Sequence, residues 1–249
     1  MDMAKKLTTN RQDAAMPGLL LGDVFPDFEA NTTIGKIYFH QFLGNSWGIL
    51  FSHPRDFTPV CTTELACAAK ISDEFKKRDV KMIALSIDSV EDHRSWSEDV
   101  MALHPEHAGS LLPFPIIADD KRELSVLLGM LDPDEKDKDG MPLTARCVFV
   151  IGPDKRLKLS ILYPATTGRN FTEILRAVDS LQLTAKKKVA TPVNWKVPNH
   201  SRAIWVINHR SEREENLDLY RALERRGEIR RKKARLCLIG FTWHGDALV

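Results

Sequence analysis

The chain has 249 residues, of which 43% are hydrophobic and 28% charged, with a formal net charge of +2. That length can bury a full core, as one large domain or as a domain with an appendage, and the charge balance argues against a dedicated nucleic-acid or membrane-surface protein. The charge is uneven: from Val197 onward eleven Lys and Arg face seven Asp and Glu, +4, which leaves −2 for everything before it.

Residues 1–15 are polar and hold no apolar core of the length a secretory signal needs. Lys5, Lys6 and Arg11 are offset by Asp2 and Asp13, which weakens a mitochondrial address. No stretch reaches the roughly 18 apolar residues of a membrane span, and a cytoplasmic location is expected. Apolar runs then alternate with helix-patterned segments. Strands are expected at 37–40, 47–52, 80–87, 114–118, 147–151 and 157–163, and helices at 59–78, 90–103, 122–128 and 170–183. Such alternation indicates an α/β architecture. In the last helix Phe171, Ile174, Leu175, Val178 and Leu181 form a stripe suited to covering one face of a sheet. Beyond 197 the pattern changes to a short β-like run at 203–207, a charged helix-like segment at 211–235 and an apolar end at 236–243.

The chemistry concentrates where the run Trp47-Gly48-Ile49-Leu50-Phe51 gives way to the helix that opens at residue 59. Thr58 suits an N-cap and Pro59 the first helical position, where its missing N–H costs nothing. Cys61 then falls at the third helical position, where free backbone N–H groups and the positive end of the helix dipole favour a thiolate. The alternative for such a residue is a buried structural thiol. Glu64 is accounted for as an acid near the helix start, complementing the dipole. The four cysteines, Cys61, Cys67, Cys147 and Cys237, are too few and too scattered for a disulfide framework or a metal site, and no C-x-x-C pair exists. Gly44-Asn45-Ser46-Trp47-Gly48 matches the G-x-S-x-G of serine hydrolases, but an apolar strand follows the serine where a nucleophile elbow needs a helix. On its own terms Ser46 is a turn residue.

The stretch Phe51-Ser52-His53-Pro54-Arg55-Asp56-Phe57-Thr58-Pro59-Val60-Cys61-Thr62-Thr63-Glu64 resembles the active-site signature of the peroxiredoxins. It is closest in kind to their one-cysteine subgroup, the peroxiredoxin-6 type. The resemblance continues through Leu85-Ser86-Ile87-Asp88-Ser89-Val90-Glu91-Asp92-His93, Leu128-Gly129-Met130-Leu131-Asp132-Pro133, Gly140-Met141-Pro142-Leu143-Thr144-Ala145-Arg146 and Tyr163-Pro164-Ala165-Thr166-Thr167-Gly168-Arg169-Asn170, covering about 16–196. It implies a thioredoxin-like fold, a central mixed sheet flanked by helices, over 16–184. An N-terminal extension at 1–15 precedes it, and a C-terminal region at 185–249 departs from the family from 197. The family's dimer-building end is not recognisable there, so a homodimer, usual in the family, is an open question here.

For function the resemblance implies a peroxidase acting on hydrogen peroxide and on organic or phospholipid hydroperoxides through a cysteine sulfenic acid. Cys61 would be the nucleophile, Thr58 a hydrogen-bonding partner, Pro59 its shield and Arg146 the cation, with His53 beside the pocket. No bound cofactor is implied. The reductant would be glutathione, delivered with a glutathione S-transferase, and Cys237 stands as an alternative internal thiol. The same resemblance implies a second activity, calcium-independent phospholipase A2 with related acyl transfer at phospholipid surfaces, mapped onto His40, Ser46 and Asp154. Asn45 departs from the acid the family carries there. A lysosomal pool is also implied. Two rival readings remain: a redox-sensing or chaperone-like binding protein whose replaced tail has cost it turnover, and a nucleic-acid contact through the basic run from Arg225 to Arg235. The glutamates interleaved in that run favour a solvated helix face.

Overall fold

The apolar run at 47–52 becomes β3 (Trp47–Ser52), buried along nearly its whole length because both its faces are covered. In this computed structural model, which describes residues 18–104, 106, 108–187 and 189–197, β3 pairs in parallel with β4 (Val80–Ser86) and antiparallel with β8 (Arg146–Ile151). Outward from β4 lie β5 (Ile116–Ala118), β1 (Glu29–Thr32) and β2 (Gly35–Tyr38), and beyond β8 lies β9 (Leu157–Tyr163), in the order β2-β1-β5-β4-β3-β8-β9. A separate antiparallel pair is formed by β6 (Leu131–Lys136) and β7 (Pro142–Thr144). The helices are α1 (Phe39–Leu43), α2 (Pro59–Lys70), α3 (Ser72–Lys77), α4 (Val90–Ala102), α5 (Glu123–Leu127) and α6 (Phe171–Lys187). This is the mixed, helix-flanked sheet of a thioredoxin-like fold.

Period-two alternation along β3 sends Leu50 to one face and Phe51 to the other. Leu50 joins Phe25, Phe39, Leu43, Ile83, Leu85, Phe149 and Leu157 in one continuous buried cluster. Phe51 meets Phe114 and Phe171 edge-on, with ring centroids 5.3 and 6.0 Å apart. Helix α4 starts where Ser89 and Asp92 cap each other reciprocally: Asp92 N–H donates to Ser89 Oγ at 3.1 Å and Ser89 N–H to Asp92 Oδ2 at 3.3 Å.

The structure departs from the sequence expectations in four places. The strand expected at 37–40 ends at Tyr38, and Phe39 instead opens α1, docking Phe39 and Leu43 into the core. The single helix expected at 59–78 breaks at Ile71, whose ψ of 11° is not helical, so that α3 leaves in a new direction with Phe75 buried. The strands β1 and β6 were not expected because most of their residues are polar, and β7 because it is only three residues long and opens on a proline. Arg122 takes φ 61° and stands outside α5 rather than in it.

The described residues fall into two compact units, the first reaching Leu175 and the second starting at Arg176. Within the second, Arg176 Nη1 donates to the Trp195 carbonyl at 3.1 Å and the Ser180 and Thr191 hydroxyls bond at 2.6 Å. Residues 1–15, the tail features expected beyond 197, Cys237 and the run from Arg225 to Arg235 lie outside the described residues. Among those described, no helix is long and apolar enough to cross a membrane.

Gly48 is where α1 and β3 approach too closely for any side chain. A Cβ built there would lie 2.4 Å from Cδ2 of the fully buried Leu43, so that side chain would have to shift within the core. Gly48→Ala should therefore destabilise the fold by about 1–3 kcal/mol, the usual range for overpacking, measured as a lower urea midpoint with an unchanged m-value.

Candidate active site

Strand β3 delivers the chain at Ser52 to a loop that turns back into α2, and three features shape that loop. Phe57 adopts φ 55°, a region sparsely used by aromatic residues. Thr58 is extended at φ −111°, ψ 146°, and Pro59 occupies the first helical turn as expected. Thr58 does not cap the helix with its side chain, however. Its hydroxyl donates to the Arg55 carbonyl at 3.0 Å, while its own carbonyl accepts from the Thr62 N–H and hydroxyl at 2.9 and 2.7 Å. Cys61 is fully buried, with exposed Pro59 and Val60 on the same turn.

Arg146, the first residue of β8, reaches Cys61 across the sheet end. Its Nη1 lies 3.4 Å from Cys61 Sγ and 2.6 Å from Glu64 Oε2, while Nε and Nη2 both donate to the Ala165 carbonyl, at 2.8 and 2.6 Å. Glu64 lies in the second helical turn, too far along to serve the helix start in the way the sequence suggested. It is instead gripped by a second arginine. Arg169 donates to it from the main chain (2.6 Å), from Nε (3.0 Å) and from Nη2 (2.9 Å), and its Nη1 donates to the Cys147 carbonyl at 2.8 Å. The Arg169 guanidinium also lies 5.5 and 5.7 Å from the rings of Phe51 and Phe171. Burial pushes the Glu64 carboxyl up, but Arg169 first and Arg146 second outweigh it, so it is held below its ordinary range. Two guanidinium groups against one carboxylate leave the buried cluster with one positive charge in excess, and Cys61 Sγ sits against it.

His53 follows β3 directly and is fully buried, but its hydrogen bond is to Asp56 rather than to Cys61. Nε2 lies 2.6 Å from Asp56 Oδ1; the other carboxylate oxygen lies 2.5 Å from His93 Nδ1, and His93 Nε2 donates to the Ile117 carbonyl at 3.2 Å. His53 Nδ1 is buried without a partner among the described residues. Its ring lies 5.0 Å from that of Trp96, whose indole N–H donates to the Thr62 hydroxyl at 3.1 Å. His53, Asp56 and Asp88 stand close enough to share a cation. Most of their atoms already have partners: His53 Nε2 and Asp56 hold each other, and Asp88 Oδ2 accepts from the Ser86 hydroxyl at 2.7 Å and the Asp56 N–H at 2.8 Å. The cluster therefore reads as a hydrogen-bonded network.

The other cysteines differ in kind. Cys147 is buried beside Arg146, and burial pushes its thiol up to about 11, against a weaker opposing hydrogen bond with Ser52. Cys67 is exposed on α2, and burial of its surroundings raises its thiol as well.

His40, Ser46 and Asp154 gather at the opposite end of the sheet, where β3 begins and β8 ends, and none bonds to another. The Ser46 hydroxyl donates to Asp79 Oδ1 at 2.7 Å. His40 Nε2 donates to the Phe25 carbonyl at 2.8 Å, with Nδ1 3.9 Å from Asp27 Oδ2. Asp154 pairs with Lys158 at 2.6 Å and accepts from the Arg156 N–H at 3.2 Å. Lys155 ties this turn to the Gly44 carbonyl, so the Ser46 and Asp154 turns are neighbours without sharing a hydrogen-bond chain.

Sequence reasoning missed Arg169, Asp56 and His93. The only local signal for any of them was the three-residue spacing of His53 and Asp56; Arg169 and His93 arrive from remote segments.

The AhpC/TSA family pattern matches residues 21–160, more than half the chain. The chain is 76% identical to peroxiredoxin-6 of Gallus gallus over 181 residues, spanning 73% of this chain and 81% of the relative. It is 74% identical to peroxiredoxin-6 of Homo sapiens over 182 residues, with the same coverage. Among solved structures, a mutant of the peroxiredoxin 6 of Arenicola marina superposes with a TM-score of 0.70 at 63% identity, covering 75% of this chain and 86% of the other. A yeast mitochondrial 1-Cys peroxiredoxin, solved for its thiol resolving mechanism via glutathione/thioredoxin systems, gives 0.66 at 47% identity, covering 72% and 83%.

The buried Asp56 gives a stability signature in acid. Burial pushes its carboxyl up, yet the hydrogen bonds from His53 and His93 outweigh burial and hold it at about 2, against an ordinary 3.8. The unfolded chain therefore takes up this proton first, so the contribution is complete above about pH 4 and is lost as the pH falls toward 2. The loss should be on the order of 2 kcal/mol, and the slope of unfolding free energy against pH in that window should flatten in Asp56→Asn.

Proposed function

The chain belongs to the AhpC/TSA family, within it to the one-cysteine peroxiredoxins of the peroxiredoxin-6 type, and we propose that its peroxidase activity is carried by Cys61 with Arg146 as its cation. The observation that supports this assignment is the 3.4 Å approach of Arg146 Nη1 to Cys61 Sγ inside a cluster with one positive charge in excess. A thiolate at Sγ attacks one oxygen of the hydroperoxide, the O–O bond breaks, and the other oxygen departs as water or alcohol after taking a proton. Cys61 is oxidised to a sulfenic acid and the peroxide is reduced by two electrons. A guanidinium has five N–H groups. Four of those on Arg146 have acceptors in Ala165, Glu64 and Cys61. The remaining Nη2 hydrogen has none among the described residues and is available to the peroxide. Thr58 can offer its hydroxyl by releasing Arg55, and Pro59 closes over the first turn.

Recycling in this reading uses two molecules of glutathione. The first thiol condenses with the sulfenic acid, releasing water and forming a mixed disulfide. The second attacks that disulfide, returning Cys61 and leaving glutathione disulfide. Support comes from the buried, raised thiol of Cys147, which is unsuited to an internal attack, and from the solved yeast relative. A glutathione S-transferase would present the glutathione. Hydrogen peroxide and organic or phospholipid hydroperoxides are the substrates in this reading, and a cytoplasmic location with a lysosomal pool completes it.

Phospholipase A2 activity is the second reading, supported by the collection of His40, Ser46 and Asp154 at one sheet end. It requires Ser46 to exchange Asp79 for His40 as its hydrogen-bond partner, a rearrangement that contact with a lipid surface would have to drive.

Two tests follow. Cys61→Ser should abolish peroxide reduction, and Arg146→Ala should lower its second-order rate by about 10²-fold, the scale for removing one preorganised donor; stopped-flow tryptophan fluorescence measures both. An Arg146→Ala rate within twofold of the parent would remove the assigned role. Ser46→Ala should bring release of fatty acid from labelled vesicles down to background, and undiminished release would dispose of the serine-hydrolase reading.

A further inference from the structure

Among the described residues, five other than glycine adopt a positive φ: Phe57, Asp79, Arg122, Lys155 and Asn194. Four of them are polar. Phe57, at 55°, is the apolar one, and a bulky side chain holds that region only at a cost in stability. Burial does not offset the cost. The residue remains 54% exposed, with its ring centroid 6.4 Å from that of the fully buried Trp96.

Val60, three residues on, is a second apolar side chain at the surface, 38% exposed, and Pro59 between them is exposed as well. A lone exposed apolar residue needs no explanation, but these stand around one point. Phe57 lies on the side of Trp96, whose ring is 5.0 Å from that of His53. Val60 lies on the side of the turn before Arg169: a Cβ on Gly168 would be 3.8 Å from Val60 Cγ1 and 3.9 Å from Glu64 Oε1. Cys61 follows Val60 directly and is fully buried. Residues 57–60 carry no charge. The turn that holds the sulfur therefore presents an uncharged, largely apolar rim to solvent, while Arg146 and Glu64 are buried.

We infer that Phe57 and Val60 are specificity-determining residues: they receive the carbon chain of an organic hydroperoxide while its O–O group lies at Cys61 and Arg146. This rests on the reading of Cys61 as the peroxide-reducing thiol and deepens it, from a list of substrates to a ranked preference among them. Hydrogen peroxide has no carbon and gains nothing from the rim. An alkyl chain gains with each methylene laid on it. Both side chains are partly exposed, so a chain resting on them keeps one side in water. The gain should be about twofold in rate per methylene, against about fourfold for a methylene buried completely. It should stop once the chain extends past the rim.

The experiment measures second-order oxidation of the full-length protein by hydrogen peroxide and by ethyl, butyl and hexyl hydroperoxide, each rate divided by that of free cysteine with the same oxidant. The readout is the slope of log rate against carbon number. Phe57→Asn removes the ring while keeping a residue that tolerates positive φ, and Val60→Thr keeps the shape while adding a hydroxyl. Each should lower the parent slope of about twofold per methylene, and the double variant should flatten it. Phe57→Tyr, which keeps the ring, should keep the slope. The unfolding midpoint of Phe57→Asn should equal or exceed that of the parent, because the strain is relieved. A flat series in the parent, or an unchanged slope in the double variant, would overturn the assignment. A flat parent series together with a molar mass that changes in Phe57→Asn by light scattering would give the rim to a second copy of the chain and overturn it too. If hydrogen peroxide itself leaves Cys61 unoxidised, the peroxidase reading falls and the rim with it; reaction without chain dependence removes the rim alone.

Discussion

The structure around Cys61 depends on Glu64 being held between two arginines. A lone buried carboxylate would be driven to protonate, and a lone buried guanidinium would be poorly tolerated. Arg169 and Arg146 together give Glu64 four hydrogen bonds, the Ala165 and Cys147 carbonyls take further guanidinium N–H groups, and one positive charge is left over in the cluster. Two features favour negative charge at the sulfur: its place in the first turn of α2 and the Arg146 guanidinium at 3.4 Å, part of whose charge is offset by Glu64 at 2.6 Å from the same nitrogen. The helix supplies the geometry that lets the arginine approach.

Such a cluster is a costly way to gain stability, since replacing a buried ion network with apolar side chains is often neutral or better. Its value here is positional. Arg146 is tied to the Ala165 carbonyl through two nitrogens and to Glu64 through a third, so its plane is fixed before any substrate arrives. Arg169 fixes Glu64 in turn and is itself packed between Phe51 and Phe171. Phe51 belongs to the central strand, so the orientation of the reacting cation is referred, through two ion pairs and one aromatic face, to the most buried part of the sheet. The topology keeps this chemistry apart from the candidate hydrolase residues. Arg146 starts β8 at the end where β3 finishes, and Ile151 ends β8 where β3 begins. Each end of the same pair of strands thus carries its own polar site.

How much of this could be read from the sequence follows from distance along the chain. Cys61, Pro59 and the start of α2 were legible because an N-terminal helix turn is a local object, written in consecutive residues. The outcome for Thr58 shows the limit of that rule, because the residue type and backbone conformation were right while the hydroxyl chose Arg55 over the helix. Arg146 was legible only through its motif. Arg169 lies 105 positions from Glu64; it stood within the motif Tyr163–Asn170 but nothing there tied it to Glu64, which itself offered a simpler local explanation that proved wrong. The break at Ile71 was invisible for a related reason: no proline or glycine marks it in the sequence, and the non-helical dihedrals of Ile71 appear only in the folded backbone, where Phe75 beyond it is buried.

The His53–Asp56–His93 network yields to a count of hydrogens. The Ile117 carbonyl can only accept, so His93 Nε2 must carry a hydrogen. His93 Nδ1 and Asp56 Oδ2, at 2.5 Å, would be two lone pairs in contact unless a further hydrogen lies between them. The remaining oxygen, Oδ1, is an acceptor, so it takes its hydrogen from His53 Nε2 at 2.6 Å. In the neutral ring that leaves the His53 Nδ1 lone pair as the group with nothing to receive, and it is the one buried side-chain nitrogen or oxygen without a partner among the described residues. The network thus uses two histidines and an aspartate to present a single acceptor inside the core, on the residue that joins the central strand to the Cys61 loop. An unpaired acceptor in that position costs about 1–3 kcal/mol.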